Sequence, residues 1–185
     1  MPDRPDALGA RWQTERCPEC AFEPEKFGPA DLPAAVAHLG KRYGTPLERL
    51  LPGETGELLR ARPSPGTWSA LDYACHVRDV LVLFDGRIHR MLIENDPDLG
   101  WWDHEAAVEI DDYAGADPAD VAKALEANAA GLAATLSGVP ERGWQRTGRR
   151  SGDTFTVLGA ARYALHEGHR HLLDMGRVLR AARGR

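Results

Sequence analysis

Hydrophobic side chains recur every three or four residues along four stretches of this chain, a spacing that gathers them on one face of a helix. The first stretch begins at Asp31, a residue suited to capping a helix, and continues to about Leu51. Pro33 fits its first turn, where an amide hydrogen would have no partner within the helix. Gly44 and Pro46 further along predict that this helix bends or splits.

The second stretch has the strongest signal for a helix start. Ser69 is followed at the third position by Asp72, which resembles a capping box with Asp in place of the usual Glu or Gln. The hydrophobic period then continues to about Glu94, where the Asn-Asp-Pro sequence at 95–97 ends it. The pattern therefore predicts one long helix between Ser69 and Glu94.

Two more helices are predicted in the second half of the chain. One runs from Asp117 to Gly138, and the last runs from about Thr154 to Arg183. No stretch shows the alternation of polar and apolar residues that is typical of a strand, and no internal repeat is present. The predicted fold is therefore all-α, a single four-helix bundle.

Two segments fall outside the predicted helices. Residues 1–28 show no sustained hydrophobic period, so we expect an irregular arm that lies on a bundle formed by residues 29–185. The connection from 96 to 116 is longer than neighbouring helices require, so we expect it to cross one end of the bundle and shape a pocket. The residues that it offers to line the mouth of that pocket are Trp101, Trp102, His104 and Tyr113.

The composition indicates in which cellular compartment the protein works and argues against some classes of partner. With 185 residues the chain can bury a full core, and its net charge of -5 argues against a nucleic-acid partner. Neither a secretory signal nor an apolar run of about 20 residues that would span a membrane is present. The cysteines Cys17, Cys20 and Cys75 are odd in number, which suits a reducing compartment. We therefore expect a cytoplasmic protein.

The sequence His-Glu-Gly-His-Arg-His at 166–171 is the strongest candidate for a functional site. Glu167 and His171 are four apart on the predicted last helix, so both side chains can reach one metal ion. The run is not the His-Glu-x-x-His motif of zinc proteases, because Arg170 stands where the second histidine would be. A third ligand has to come from another helix, and the candidate is His76.

Simpler interpretations apply to the neighbouring residues. His166 and His169 are interpreted as surface residues, or as residues that support ligands, and the whole run could be a solvated helix face. Cys17-x-x-Cys20 could be half of a zinc knuckle or a redox pair. A structural zinc site needs four ligands, however, so two ordinary thiols are the favoured interpretation. The candidates for binding an anionic substrate are Arg149, Arg150 and Arg170.

Several of these motifs together resemble the DinB/YfiT-like superfamily, over roughly residues 30–182. The resemblance rests on the sequence GTWSALDYACHV at 66–77, on Arg162-Tyr163 and on the pattern Glu167-x-x-x-His171-x-x-Asp174. It implies a bundle with up-down-down-up topology, often dimeric, in which three side chains hold a divalent ion such as zinc or nickel. By the resemblance, these ligands would be His76, Glu167 and His171. In having a glutamate at position 167, the ligand pattern of this chain is similar to that of mycothiol-dependent maleylpyruvate isomerases.

The resemblance also implies a reaction. Three protein ligands leave one position on the ion open, and an ion there favours the thiolate form of a bound thiol. We therefore expect a metal-dependent transferase that moves a low-molecular-weight thiol, such as mycothiol or bacillithiol, onto a small electrophile. The residues expected to bind these molecules are Trp101, Trp102, Tyr113 and Arg170. Two alternatives stay open, a hydrolase on the same ligands and a non-catalytic binding or stress-response module.

Overall fold

The computed structural model describes residues 11–184 of the chain, so the first ten residues of the expected arm lie outside the described part. Its helices and strands are α1 (Leu32–Glu48), α2 (Glu57–Arg60), α3 (Ala70–Ile93), α4 (His104–Ile110), α5 (Pro118–Ser137), β1 (Thr147–Arg150), β2 (Asp153–Thr156) and α6 (Val157–Ala182). Short 3-10 helices lie at Pro24–Lys26, Tyr113–Gly115 and Glu141–Gln145. Within 11–184, no helix is both long enough and apolar enough to cross a membrane.

Four long helices form the body of the protein, which confirms the predicted four-helix bundle. α1 packs on α5, and α3 packs on both α5 and α6. Each helix turns its hydrophobic face inward, and the buried face of α1 includes Val36, Leu39 and Tyr43. The Tyr43 hydroxyl donates a 2.8 Å hydrogen bond to the Gly168 carbonyl, which ties α1 to the middle of α6. That contact lies beside the residue pair predicted to bind metal.

α1 differs from its prediction at its C-terminal end. The helix is not divided at Gly44 or Pro46, and it ends at Glu48 rather than near Leu51. Pro46 lies in the last turn, so its missing amide hydrogen costs at most one bond of the helix ladder there. A proline at this position is therefore compatible with an unbroken helix.

The start of α3 has the predicted capping box. Asp72 donates its backbone amide to Ser69 Oγ at 3.1 Å, and Ser69 donates its own amide to Asp72 Oδ2 at 2.9 Å. Arg62 Nε also donates to Asp72 Oδ2, at 3.0 Å. The two bonds between Ser69 and Asp72 satisfy backbone amide groups that a helix leaves unpaired at its start. They fix the first turn of α3, one turn before His76.

We expect Ser69→Ala to lower the free energy of unfolding by about 1 kcal/mol, because the buried amide of Asp72 loses its acceptor. Ser137→Ala is a matched control. Its hydroxyl donates to the Ala133 carbonyl inside the end of α5, and its removal should change stability by less than roughly 0.5 kcal/mol. Urea denaturation of both variants measures the difference, and equal midpoints would contradict the proposed importance of this cap.

A short hairpin precedes α6, although the sequence pattern predicts no strand. β1 and β2 pair antiparallel with Arg149 opposite Thr154. Ser151 and Gly152 both have positive φ, 53° and 94°, which suits the tight two-residue turn between twisted strands. The hairpin buries the side chain of Arg150 and exposes that of its neighbour Arg149.

The described part of the arm, residues 11–28, packs against α6. Trp12, Cys17, Cys20 and Phe22 are buried and belong to the same hydrophobic core as the bundle. Arg162 of α6 donates to the carbonyl of Phe27 at 3.0 Å. The arm is therefore an integral layer on one side of the bundle.

Candidate metal centre and its cavity

His76, Glu167 and His171 meet between α3 and α6. One ligand atom from each lies within 4.8 Å of the other two. Glu167 Oε2 is central, 3.5 Å from His76 Nε2 and 3.3 Å from His171 Nε2. The helical spacing of four brings Glu167 and His171 together, and the packing of α3 on α6 adds the third side chain.

His76 has the strongest physical reason to bind an ion. The ring is 3% exposed, and neither of its nitrogens has a hydrogen-bond partner. Burial lowers the pKa of His76 to about 4, so the ring is neutral at pH 7, the form that coordinates a metal. Buried polar atoms are nearly always satisfied in native proteins, so a ligand for this ring is expected at the site.

Two carboxylates make the same place favourable for positive charge. Burial opposes the charge of Glu167, but the imidazoles of His171 and His76 outweigh it and hold the pKa of Glu167 well below its usual range. Burial alone would lower the pKa of His171, but Asp174 and Glu167 outweigh it and raise that pKa to about 9. Asp174 Oδ2 lies 3.3 Å from His171 Nδ1, where it can orient the ring of a ligand.

The three side chains open onto a cavity of about 350 Å³, within the range of pockets that hold small organic ligands. Aromatic rings form much of its wall. Trp102 stacks on His76 with ring centroids 5.4 Å apart, and Trp68 lies 5.1 Å from the same ring. The indoles therefore fix the orientation of one candidate ligand and give the cavity an apolar wall.

The predicted pocket residues divide into two groups. Trp101, Trp102, His104 and Arg170 line the cavity. Tyr113 is not among its lining residues. Its ring is fully buried, and its hydroxyl donates a 2.6 Å hydrogen bond to Asp79 of α3. The structure therefore places Tyr113 in the bundle core, where it connects the 96–116 segment to α3.

The three candidate arginines occupy different environments. Arg149 is exposed and pairs with Asp96, outside the cavity. Arg170 lines the cavity, but it also pairs with Glu19 of the arm and with Asp174. Arg150 is buried and lines the cavity, and its Nε has no hydrogen-bond partner.

Sequence reasoning missed one buried cation beside the site. Arg87 lies on the inner face of α3, lines the cavity, and donates to the carbonyls of Leu99 and Gly100 at 3.2 and 2.8 Å. These bonds hold the segment that carries Trp101 and Trp102. The sequence does indicate that Arg87 is buried, because it falls within the hydrophobic period of α3, beside Ile88.

The arm brings a further set of metal-binding types together. Cys17, Cys20 and His166 are all buried, and one ligand atom of each lies within 4.8 Å of the other two. His166 is therefore not a surface residue. Burial raises the pKa of Cys20 to about 11, so this thiol is not poised as a redox nucleophile. Cys75 is buried in α3 and is not part of this group.

Comparison with known proteins identifies a family and a similar solved structure. The family model of the DinB superfamily matches residues 45–175. The chain is similar to YfiT from Bacillus subtilis, described as a probable metal-dependent hydrolase with an unusual four-helix bundle topology. That match has a TM-score of 0.73 at 18% identity and covers 92% of this chain and 97% of that chain. Curated proteins give no significant match.

Proposed function

The chain belongs to the DinB superfamily, and we propose that it is a metal-dependent thiol S-transferase. The observation that carries the proposal is the meeting of His76, Glu167 and His171 at the wall of a cavity large enough for an organic molecule. Two imidazoles and one carboxylate suit a divalent ion of the zinc type, and three protein ligands leave a position for an exogenous one. The ion, when bound, would supply the positive charge that keeps a thiol deprotonated near neutral pH.

The remaining cavity residues would bind and orient the two reactants. The faces of Trp68, Trp101 and Trp102 offer apolar contact to the reactants and restrict the access of water. Arg150 offers a guanidinium with an unpartnered Nε to an anionic group of the electrophile. Asp174 would hold the ring of His171 in the orientation that presents Nε2 toward Glu167.

Hydrolysis is the second candidate, and the types of the three ligand side chains favour it. Two histidines and one glutamate are also the ligand set of several zinc peptidases, in which the ion activates water. His104 and Glu105 line the cavity and could accept the proton of that water. YfiT, which shares the fold, is described as a probable metal-dependent hydrolase. The two functions differ in whether turnover consumes a thiol.

A direct test compares turnover with and without an added thiol. The zinc-loaded protein is mixed with 1-chloro-2,4-dinitrobenzene and either mycothiol, bacillithiol or glutathione, and product absorbance is followed. In this reaction the carbon–sulfur bond forms, the carbon–chlorine bond breaks, and chloride and the thiol proton leave. We expect thiol-dependent turnover that falls at least about 100-fold after chelation, because the metal-bound form provides the nucleophile.

The control reaction uses 4-nitrophenyl acetate without a thiol. Metal-dependent release of nitrophenol in that reaction, with no S-transfer to chlorodinitrobenzene, would overturn the transferase proposal in favour of the hydrolase. Stoichiometric metal with turnover of neither probe would instead favour the non-catalytic module. Absence of bound metal would reject both enzymatic candidates.

A further inference from the structure

A second group of metal-binding side chains lies where the arm meets α6. Cys17 and Cys20 come from a tight turn of the arm, and His166 comes from the helix. Their ligand atoms, two sulfurs and one imidazole nitrogen, lie within 4.8 Å of one another. Donors that bind one zinc ion at about 2.3 Å are at most roughly 4.6 Å apart, so only a small adjustment would complete a coordination sphere.

His166 is the side chain that most requires a partner. It is 1% exposed, and neither ring nitrogen has a hydrogen-bond partner. The carboxylate of Glu167 lies 3.8 Å from His166 Nδ1, which is too far for a hydrogen bond. Because buried imidazoles are rarely unsatisfied in native proteins, a group that accepts the lone pair of this ring is expected beside the two sulfurs.

The donor chemistry identifies the class of ligand. Two thiolates and one neutral imidazole form a soft set, which favours zinc over magnesium, calcium or manganese. Their two negative charges would neutralise a divalent ion. A neutral centre suits this environment, because the rings of Trp12 and Phe22 lie 5.0 and 5.4 Å from the His166 ring.

We propose that Cys17, Cys20 and His166 bind a zinc ion that fastens the N-terminal arm to α6. This ion is separate from the one at His76, and it shares no ligand with it. Among residues 11–184 no fourth donor joins the group, which leaves one position of a tetrahedral ion to water or another small ligand. Trp12 and His166 both line the cavity beside His76, so the ion would also fix that part of its wall.

Cobalt titration of the metal-free, reduced full-length protein tests the site. We expect two cobalt ions per chain and a near-ultraviolet charge-transfer band, which only thiolate ligands produce. The site at His76 contains no sulfur and cannot give this band. The band therefore reports the arm site, while the number of ions reports both sites. Failure of this proposal and failure of the enzymatic proposal are thus distinguishable.

Matched variants assign the band to its residues. Cys17→Ser with Cys20→Ser should abolish the band and remove one ion per chain, and His76→Ala should remove one ion and keep the band. Cys75→Ser is the control, because Cys75 is a buried cysteine of α3 outside the group. We expect the control to keep both ions and the band.

Protection of the wild-type thiols gives a measurement that does not depend on folding of a variant. With zinc bound, Cys17 and Cys20 should react with iodoacetamide at least about tenfold more slowly than after chelation, as peptide mass spectrometry would show. A wild-type protein that binds cobalt without the band would overturn the proposal. So would a band that survives the double substitution, or equal alkylation rates with and without zinc.

Discussion

His76→Ala should remove one metal ion per chain and lower thiol-dependent turnover at least about 100-fold. The reason is the geometry of the site, in which only His76 comes from α3, while Glu167 and His171 share one turn of α6. Without His76 two donors remain, and two donors hold a divalent ion much more weakly than three. Loss of a residue that merely orients a ligand already costs 10–100-fold in affinity, so loss of a ligand should cost at least as much.

The control for this experiment is His89→Ala on the same helix. His89 is exposed, and its Nδ1 lies 3.1 Å from the carbonyl oxygen and 3.6 Å from the carboxylate of Asp85, one turn earlier. Its removal should leave metal content and turnover unchanged. Inductively coupled plasma mass spectrometry measures the ions, and circular dichroism verifies that both variants keep the fold. Full metal content in His76→Ala would show that the ligands lie elsewhere.

The metal site illustrates how far sequence reasoning reaches. Glu167 and His171 could be paired from their spacing alone, because helical geometry fixes the relative position of residues four apart. His76 lies on a different helix, and no local rule states which face of α3 meets α6. Its assignment as the third residue depended on the resemblance to a family, and the structure places it within reach of the other two.

The contacts between the arm and α6 could not be predicted from the sequence. The sequence favours ordinary thiols at Cys17-x-x-Cys20 because no second cysteine pair exists, and it favours a surface or ligand-supporting role for His166. Nothing in a local sequence pattern relates an irregular arm to a distant helix. Only the packing of the arm on α6 shows that the three side chains are neighbours.

Strand β1 of the hairpin and the burial of Tyr113 also could not be predicted from the local sequence. β1 is polar and short, so it lacks the hydrophobic alternation by which a strand is recognised, and the Ser151-Gly152 turn was its only local signal. An aromatic residue in a polar connection can equally face a pocket or enter the core. Tyr113 enters the core because Asp79 of α3 accepts its hydroxyl there, a partner that the sequence could not identify.

Both candidate sites depend on α6, which carries His166 of one site and Glu167 and His171 of the other. His166 faces the arm, while the adjacent Glu167 faces α3, as expected for neighbours separated by about 100° on a helix. Gly168 then follows, where an added Cβ would come within 2.5 Å of Leu39 Cδ1 of α1. Three successive residues therefore meet three different parts of the fold, so the rotation of α6 about its axis is fixed tightly at the sites.

The second large effect is expected where α1 crosses α5. An added Cβ at Gly40 would lie 2.7 Å from the Cα atom of Glu126, a backbone atom that cannot rotate away. Gly40→Ala should therefore force the two helices apart and lower the free energy of unfolding by about 1–3 kcal/mol. For a chain of this size that corresponds to a lower melting temperature by roughly 2–4 °C per kcal/mol.

Gly131→Ala on α5 should have the opposite sign. Apart from its chain neighbours and the nearby backbone of its own helix, an added Cβ there meets no atom within 4 Å. The substitution therefore acts mainly on the backbone entropy of the unfolded chain and should stabilise the protein by about 0.4–1 kcal/mol. The two variants carry the same chemical change, so their difference isolates the close approach at Gly40. Urea denaturation measures both, and equal midpoints would show that α1 and α5 can separate without cost.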